Sequence, residues 1–512
     1  MKLLENNLFE SILEDLRDSD PNIRLRAVQS LSRVEPQKAI EGLKLALKDR
    51  NRSIGYRAAE ALGRMTNPEA EFAVISLLKG KDRNARINAA MALKDMKSEE
   101  AVLEVIKLLK DDYSFYLPLQ QGLKNNQSPV ILSALIEGLR NKKVRTRKYF
   151  VMALGEMEFD EAADVLLETL NEKDRMLREG AVLAIKYGSS KIRSSRAGDR
   201  LFQILKEFLE NLGSTKGFRK NELYEKIQHI LLAAGFMKLQ NAVPLLVGLL
   251  ASSEIRNLKI LAVLTIGEIG SESAVPILLN IISQNKDSYI AEASAEALRK
   301  IKPYSAVDIL LEFLSSPVPS VRLNALNALE YAKTPEVIEA VVKCLIDSDV
   351  HCRRSAARIL GVMKTQSAVS FLLKALEDKD KWVGWNAAWA LGQIKSELAT
   401  EGVLKLSGSI QPLVRRNALE ALGQMALDIS GVMNRLLDAL NDANVLVARS
   451  ASWAIRQINM EKAVNLLATL KRDRNHEVSR QAANAIKRLK FNHDAYLPHF
   501  PVKSSPLYGV WP

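Results

Sequence analysis

The chain holds 512 residues, 47% hydrophobic and only 6% aromatic, a balance that favours helix and argues against a many-stranded β protein. Its 73 basic against 60 acidic residues give +13, a mild bias that permits acidic partners without requiring one. Two cysteines, Cys344 and Cys352, exclude a disulfide framework; with an N-terminus lacking signal-peptide order and apolar runs of about half a membrane span, they predict a cytoplasmic protein.

From the N-terminus onward the sequence repeats. IRLRAVQSL (23–31) is followed by IGYRAAEALG (54–63), and later by VRLNALNAL (321–329), CRRSAARILG (352–361), VGWNAAWALG (383–392) and VRRNALEALG (414–423). With the first alanine of each as anchor, equivalent positions fall at Ala27, Ala58, Ala89, Leu119, Phe150, Ala181, Ile230, Ala262, Ser294, Ala325, Ala356, Ala387, Ala418, Ala451 and Ala482. The steps between them run from 30 to 33 residues, with a single step of 49.

Each unit predicts two helices. The first carries apolar residues at i, i+3, i+4 and i+7, as in Val102, Val105, Ile106 and Leu109. An Asp-containing turn follows, and the second helix holds the anchor. In Asp20/Arg24, Asp82/Arg86, Asp174/Arg178 and Asp349/Arg353 the Asp is expected to cap the second helix, with the Arg one turn inside. Glycines recur five residues after the anchor, at Gly63, Gly155, Gly235, Gly267, Gly361, Gly392 and Gly423.

This pattern resembles the HEAT-like repeats named after phycobilisome lyases, across residues 9–490. The resemblance implies an all-α, right-handed α-solenoid of about fifteen helical hairpins with a 31-residue period. A lone hairpin cannot bury its apolar face, so stacking must supply the core. Alanine-rich second helices can approach closely, which predicts that their side is concave. As a guide to function the resemblance is weak, because such repeats serve adaptors, regulators, bilin lyases and DNA glycosylases alike.

Four segments are expected: a solenoid over 1–187, an irregular joint over 188–220, a second solenoid over 221–490, and a Pro- and aromatic-rich tail over 491–512. The joint takes up the 49-residue step and contains GSSKIRSSRAGDR and GSTKGFRK. Before it, LRNKKVRTRK (139–148) holds six basic residues and no acid. The tail is expected to cap the last hairpin or to dock on a partner.

The chemistry-bearing residues are sparse. None of the five histidines has metal-ligand spacing, no phosphate-loop or nucleophile motif occurs, and no cofactor is expected. Residues two before and two after each anchor share one helix face. In the late hairpins these include Arg354, Arg358, Trp385, Trp389, Arg416, Arg449, Trp453 and Arg480; in the early ones, Leu25, Tyr56, Ile87 and Met91. Glu292 and Glu296 lie between. Arg and Trp are enriched at binding hot spots, so the late set is the candidate partner-binding patch and the early set a weaker one. A non-catalytic protein-binding scaffold, with a partner carrying acidic or phosphate groups, fits this mixed wall better than a nucleic-acid binder would. The enzymatic alternative is a bilin-lyase-like activity, since VGWNAAWALGQI (383–394) looks like the aromatic second helix of those lyases.

Overall fold

A computed structural model of the chain describes residues 2–65, 67–188, 190–214, 218–252, 255–426, 431–472 and 476–491. Among these are thirty α-helices, α1 to α30, and no strand. Odd-numbered helices are the first members of hairpins and even-numbered ones the second. Every anchor lies on an even-numbered helix, and all fifteen are at most 3% exposed. The chain is an all-α solenoid, and the alanine period marks its buried seam.

Contacts divide the chain into two units, residues 1–245 and 246–512. In unit 1, second helices α2 (Pro21–Ser30), α4 (Arg52–Gly63), α6 (Arg83–Met91), α8 (Tyr116–Leu123), α10 (Val144–Leu154), α12 (Arg175–Tyr187) and α14 (Phe218–Phe236) each touch the next. The 49-residue step lengthens the seventh hairpin: α13 (Ser195–Ser214) and α14 run to 20 and 19 residues, after a short 3-10 turn at Ser190–Arg193. Most of the expected joint is therefore helix. In unit 2, α16 (Arg256–Ile269), α18 (Ser288–Ile301), α20 (Pro319–Ala328), α22 (Val350–Met363), α24 (Lys381–Ile394), α26 (Pro412–Met425) and α28 (Val445–Ile458) stack in the same manner. The tail beyond Phe491, the last residue of α30 (His476–Phe491), lies outside the described residues.

Small residues set the spacing of the second-helix layer. A Cβ added at Gly361 would sit 2.7 Å from the Ala390 Cα, and one at Gly423 would sit 2.8 Å from the Ala454 Cα. These helices meet backbone to backbone, whereas the first helices meet through Leu, Val and Ile. The second-helix layer is the more closely spaced of the two.

Candidate binding surface on the second helices

The surface begins with helix caps. Asp20, Asp82, Asp174 and Asp349 each accept backbone N–H bonds from the first turn of a second helix, as the sequence predicts. The Arg one turn inside does something the sequence reading missed. Arg353 donates through Nε and Nη2 to both oxygens of Asp378, at 2.8 and 3.2 Å, and through Nη1 to the Asp347 and Ser348 carbonyls. Arg24, Arg322 and Arg415 repeat the arrangement with Asp49, Asp347 and Asp442. Each rung ties a second helix to the turn of the next hairpin. Its signal was the motif Asp-x-Asp/Asn, at 49–51, 347–349, 378–380 and 442–444, in which the first Asp also accepts the N–H two residues on. Arg322 and Arg415 hold the Asp347 and Asp442 carboxyls below the usual range through these bonds.

A second row of pairs runs along the exposed face of unit 2. Lys300 on α18 meets Glu268 on α16. Glu296 binds Arg299, which lies 3.6 Å from Glu330; Glu330 takes Arg358 of α22 at 2.7 Å. Arg358 also donates to Asn327, which accepts the Ser355 hydroxyl. Arg354 forks onto Asp380, the cap of α24. Arg416 donates to Glu420 at 2.9 Å, and Ser450 of α28 donates to the same carboxylate. Acids and bases thus alternate from hairpin to hairpin.

The candidate residues divide by depth. Arg354, Arg358 and Arg416 keep 30%, 21% and 26% of their side-chain surface. Trp389 and Arg449 are half-buried and Arg480 is exposed. Trp385 and Trp453, by contrast, retain only 7% and 8% exposure. Trp385 meets Trp382 edge-on at 6.3 Å, while the rings of Trp389 and Trp453 fill the spaces that Gly361 and Gly423 leave on the preceding helix. A Gly five after one anchor and a Trp two after the next form a knob and a hole. In unit 1, Tyr56 is exposed and Leu25, Ile87 and Met91 are half-buried.

Both cysteines are buried and free. Burial pushes the Cys344 thiol up to about 11 and the Cys352 thiol up to about 12, so neither is a ready nucleophile at neutral pH. Among the described residues, no three His, Cys, Asp or Glu side chains gather as a metal site would require, and no helix is long and apolar enough to cross a membrane.

Models of the family described as HEAT repeats match residues 9–71, 132–208, 216–299, 278–358 and 346–423, more than half of the chain. No curated protein matches the chain. Among solved structures, it is similar to Kap95p from a complex concerning RanGDP, at 14% identity over 94% of this chain and 72% of that one, with a TM-score of 0.43. It is similar also to Kap121p, at 12% identity over 96% of this chain and 57% of that one, with a TM-score of 0.39. An engineered protein aligns at 17% identity over 94% of this chain and 98% of that one, with a TM-score of 0.26.

Proposed function

The chain belongs to the HEAT-repeat family, and from that premise we propose that it is a non-catalytic scaffold whose second-helix face in unit 2 receives a protein partner bearing acidic or phosphate groups. The observation that carries this reading is the row of ordered arginines. Arg354, Arg358 and Arg416 are each held by a carboxylate yet stay a fifth to a third exposed. A guanidinium has five donors, and Arg358 spends only part of them on Glu330 and Asn327. Its side-chain entropy is already lost, so an incoming carboxylate or phosphate meets a preorganised donor. Glu292 and Glu296, farther along the same layer, would repel a uniform polyanion and suit the mixed surface of a folded protein.

Trp389 adds partly exposed aromatic area on the second helix of the hairpin after that of Arg358, while Trp385 and Trp453 are buried in the layer. In the aromatic doublet of α24, Trp389 packs against the preceding second helix at Gly361 and Trp385 is buried.

Comparative affinity purification would test the proposal with the full chain, Arg358→Ala, Trp389→Ala and, as a control on the first-helix layer, Phe72→Ala. Phe72 is 72% exposed on α5 (Pro68–Leu78). The expected result is one partner set that the control retains and the first two variants lose by about fivefold or more, at unchanged circular dichroism. Retention of every partner by both variants would refute this surface.

A further inference from the structure

The turns joining first to second helices in unit 1 carry a second, independent surface. Relative to each anchor, the position eight residues earlier holds Arg50, Lys81, Lys142 and Lys173 in hairpins two, three, five and six. Ten residues earlier come Arg17, Lys48, Lys79 and Arg140, and six earlier Arg52, Arg83 and Arg175. Equivalent positions of stacked hairpins align along one edge, so these cations form a ridge of about 40 Å at roughly 10 Å per hairpin.

Several acids of these turns are already engaged. Asp49 takes the Arg24 fork, Asp82 and Asp174 cap α6 and α12, and Asp112 is bound by Arg83. Arg50, Arg52, Lys81, Arg140, Lys142 and Lys143 are exposed and make no ion pair among the described residues. Two exposed acids, Asp111 at hairpin four and Glu172 at hairpin six, interrupt the row.

At the first interruption stands an aromatic stack. Tyr113, 50% exposed, lies parallel to Tyr149 at 5.7 Å; Tyr149 is 5.1 Å from Tyr116, and the Arg145 guanidinium sits 4.4 Å over Tyr113. The ridge therefore has cations on both sides of a flat aromatic and guanidinium platform. The same turn positions in unit 2 are mixed: Lys286, Lys379 and Lys381 stand there, but so do Ile346, Ile410 and Val445, 88%, 92% and 69% exposed. The cations are denser along unit 1 than at the equivalent positions of unit 2.

We infer that this turn edge of unit 1 binds single-stranded nucleic acid, with the Lys and Arg ridge tracking phosphates and the Tyr113 platform stacking a base. A row of cations at fixed intervals matches a backbone whose charges are also evenly spaced. The half-exposed tyrosine offers what a nucleobase uses and an acidic peptide does not. Duplexes hide their base faces, which favours a single strand.

Fluorescence anisotropy tests this with the full chain and labelled oligo(dT) and oligo(U) of about 20 nucleotides over a salt series. Either sugar binding supports the inference, and the tighter one identifies the strand. Arg50→Ala/Arg52→Ala and Lys142→Ala/Lys143→Ala should each weaken binding by about tenfold and flatten the log–log salt slope by about 1.4, or 0.7 per lost phosphate contact. Tyr113→Ala should weaken it by roughly fivefold or more with the slope unchanged, and Tyr113→Phe should restore it. Binding to neither oligonucleotide, or wild-type affinity in both double variants, would overturn the inference. So would equal competition by polyglutamate of matching length, which would assign the ridge to acidic protein segments.

Discussion

The Asp380 carboxylate accepts the N–H groups of Trp382 and Val383, each at 3.0 Å, and takes a fork from Arg354 at 2.9 and 2.6 Å. The Arg354 bond holds its pKa at about 2, against an ordinary aspartate value near 3.9. A carboxyl whose folded pKa is depressed stabilises the fold above its unfolded pKa and loses that contribution as pH falls towards the folded value. Asp380→Asn keeps the cap and removes the charge pair. Wild type should therefore exceed this variant in urea midpoint by a constant margin from about pH 7 to 5, and the margin should close between about pH 4 and 2. A margin that stays constant down to pH 2 would show that the pair contributes nothing. Caps of this kind, such as Asp349, were legible in the sequence because they join neighbours. The fork was not, because Arg354 and Asp380 stand 26 residues apart, and only the stacked turns bring them together.

Among the helices, glycine has opposite consequences depending on what faces it. Gly248, within α15 (Val243–Ser252), has nothing within 4 Å of an added Cβ; Gly423, within α26, faces the Ala454 Cα and the Trp453 ring. Helix propensity alone favours Ala over Gly by up to about 1 kcal/mol. At Gly248 that gain stands, so Gly248→Ala should raise stability by about 0.5 to 1 kcal/mol. At Gly423 the added methyl must separate two helices whose backbones touch, and overpacking of this kind costs about 1–3 kcal/mol. Gly423→Ala should accordingly lower the thermal midpoint, and equal gains from both substitutions would contradict the close approach. The glycine period was visible in the sequence, and so were the tryptophans. That Trp453 would sink to 8% exposure was not, because its depth depends on a missing side chain in the preceding hairpin. Helix-face arithmetic places a residue around one cylinder and is blind to the hole on the next.

Within each unit, hairpins touch their sequence neighbours, so stability is a sum of hairpin and interface terms rather than the property of one core. The fifteen-hairpin count was readable because the buried anchor recurs in every unit. The division after Leu245 was not, since it follows from the distribution of contacts rather than from any break in the period. The rung from Arg353 to Asp378 gives this architecture a sharp test. Arg353 is 8% exposed and its partner's side chain 12%, so Arg353→Ala strands a sheltered carboxylate and opens two carbonyls. Breaking such a pair costs about 3 kcal/mol or more. In a globular domain that loss would spread through the fold. In a stack it should fall on the interfaces nearest the rung, with faster amide exchange in α20, α22, α24 and α26 and little change from α4 to α10 of unit 1. Hydrogen-exchange mass spectrometry of wild type and Arg353→Ala reads this directly. A uniform rise across both units would mean that they open together, and the nearest-neighbour account would fail. Arg353→Lys separates charge from geometry: a lysine keeps the cation but lacks the fork, so it should recover part of the protection in α22 and α24.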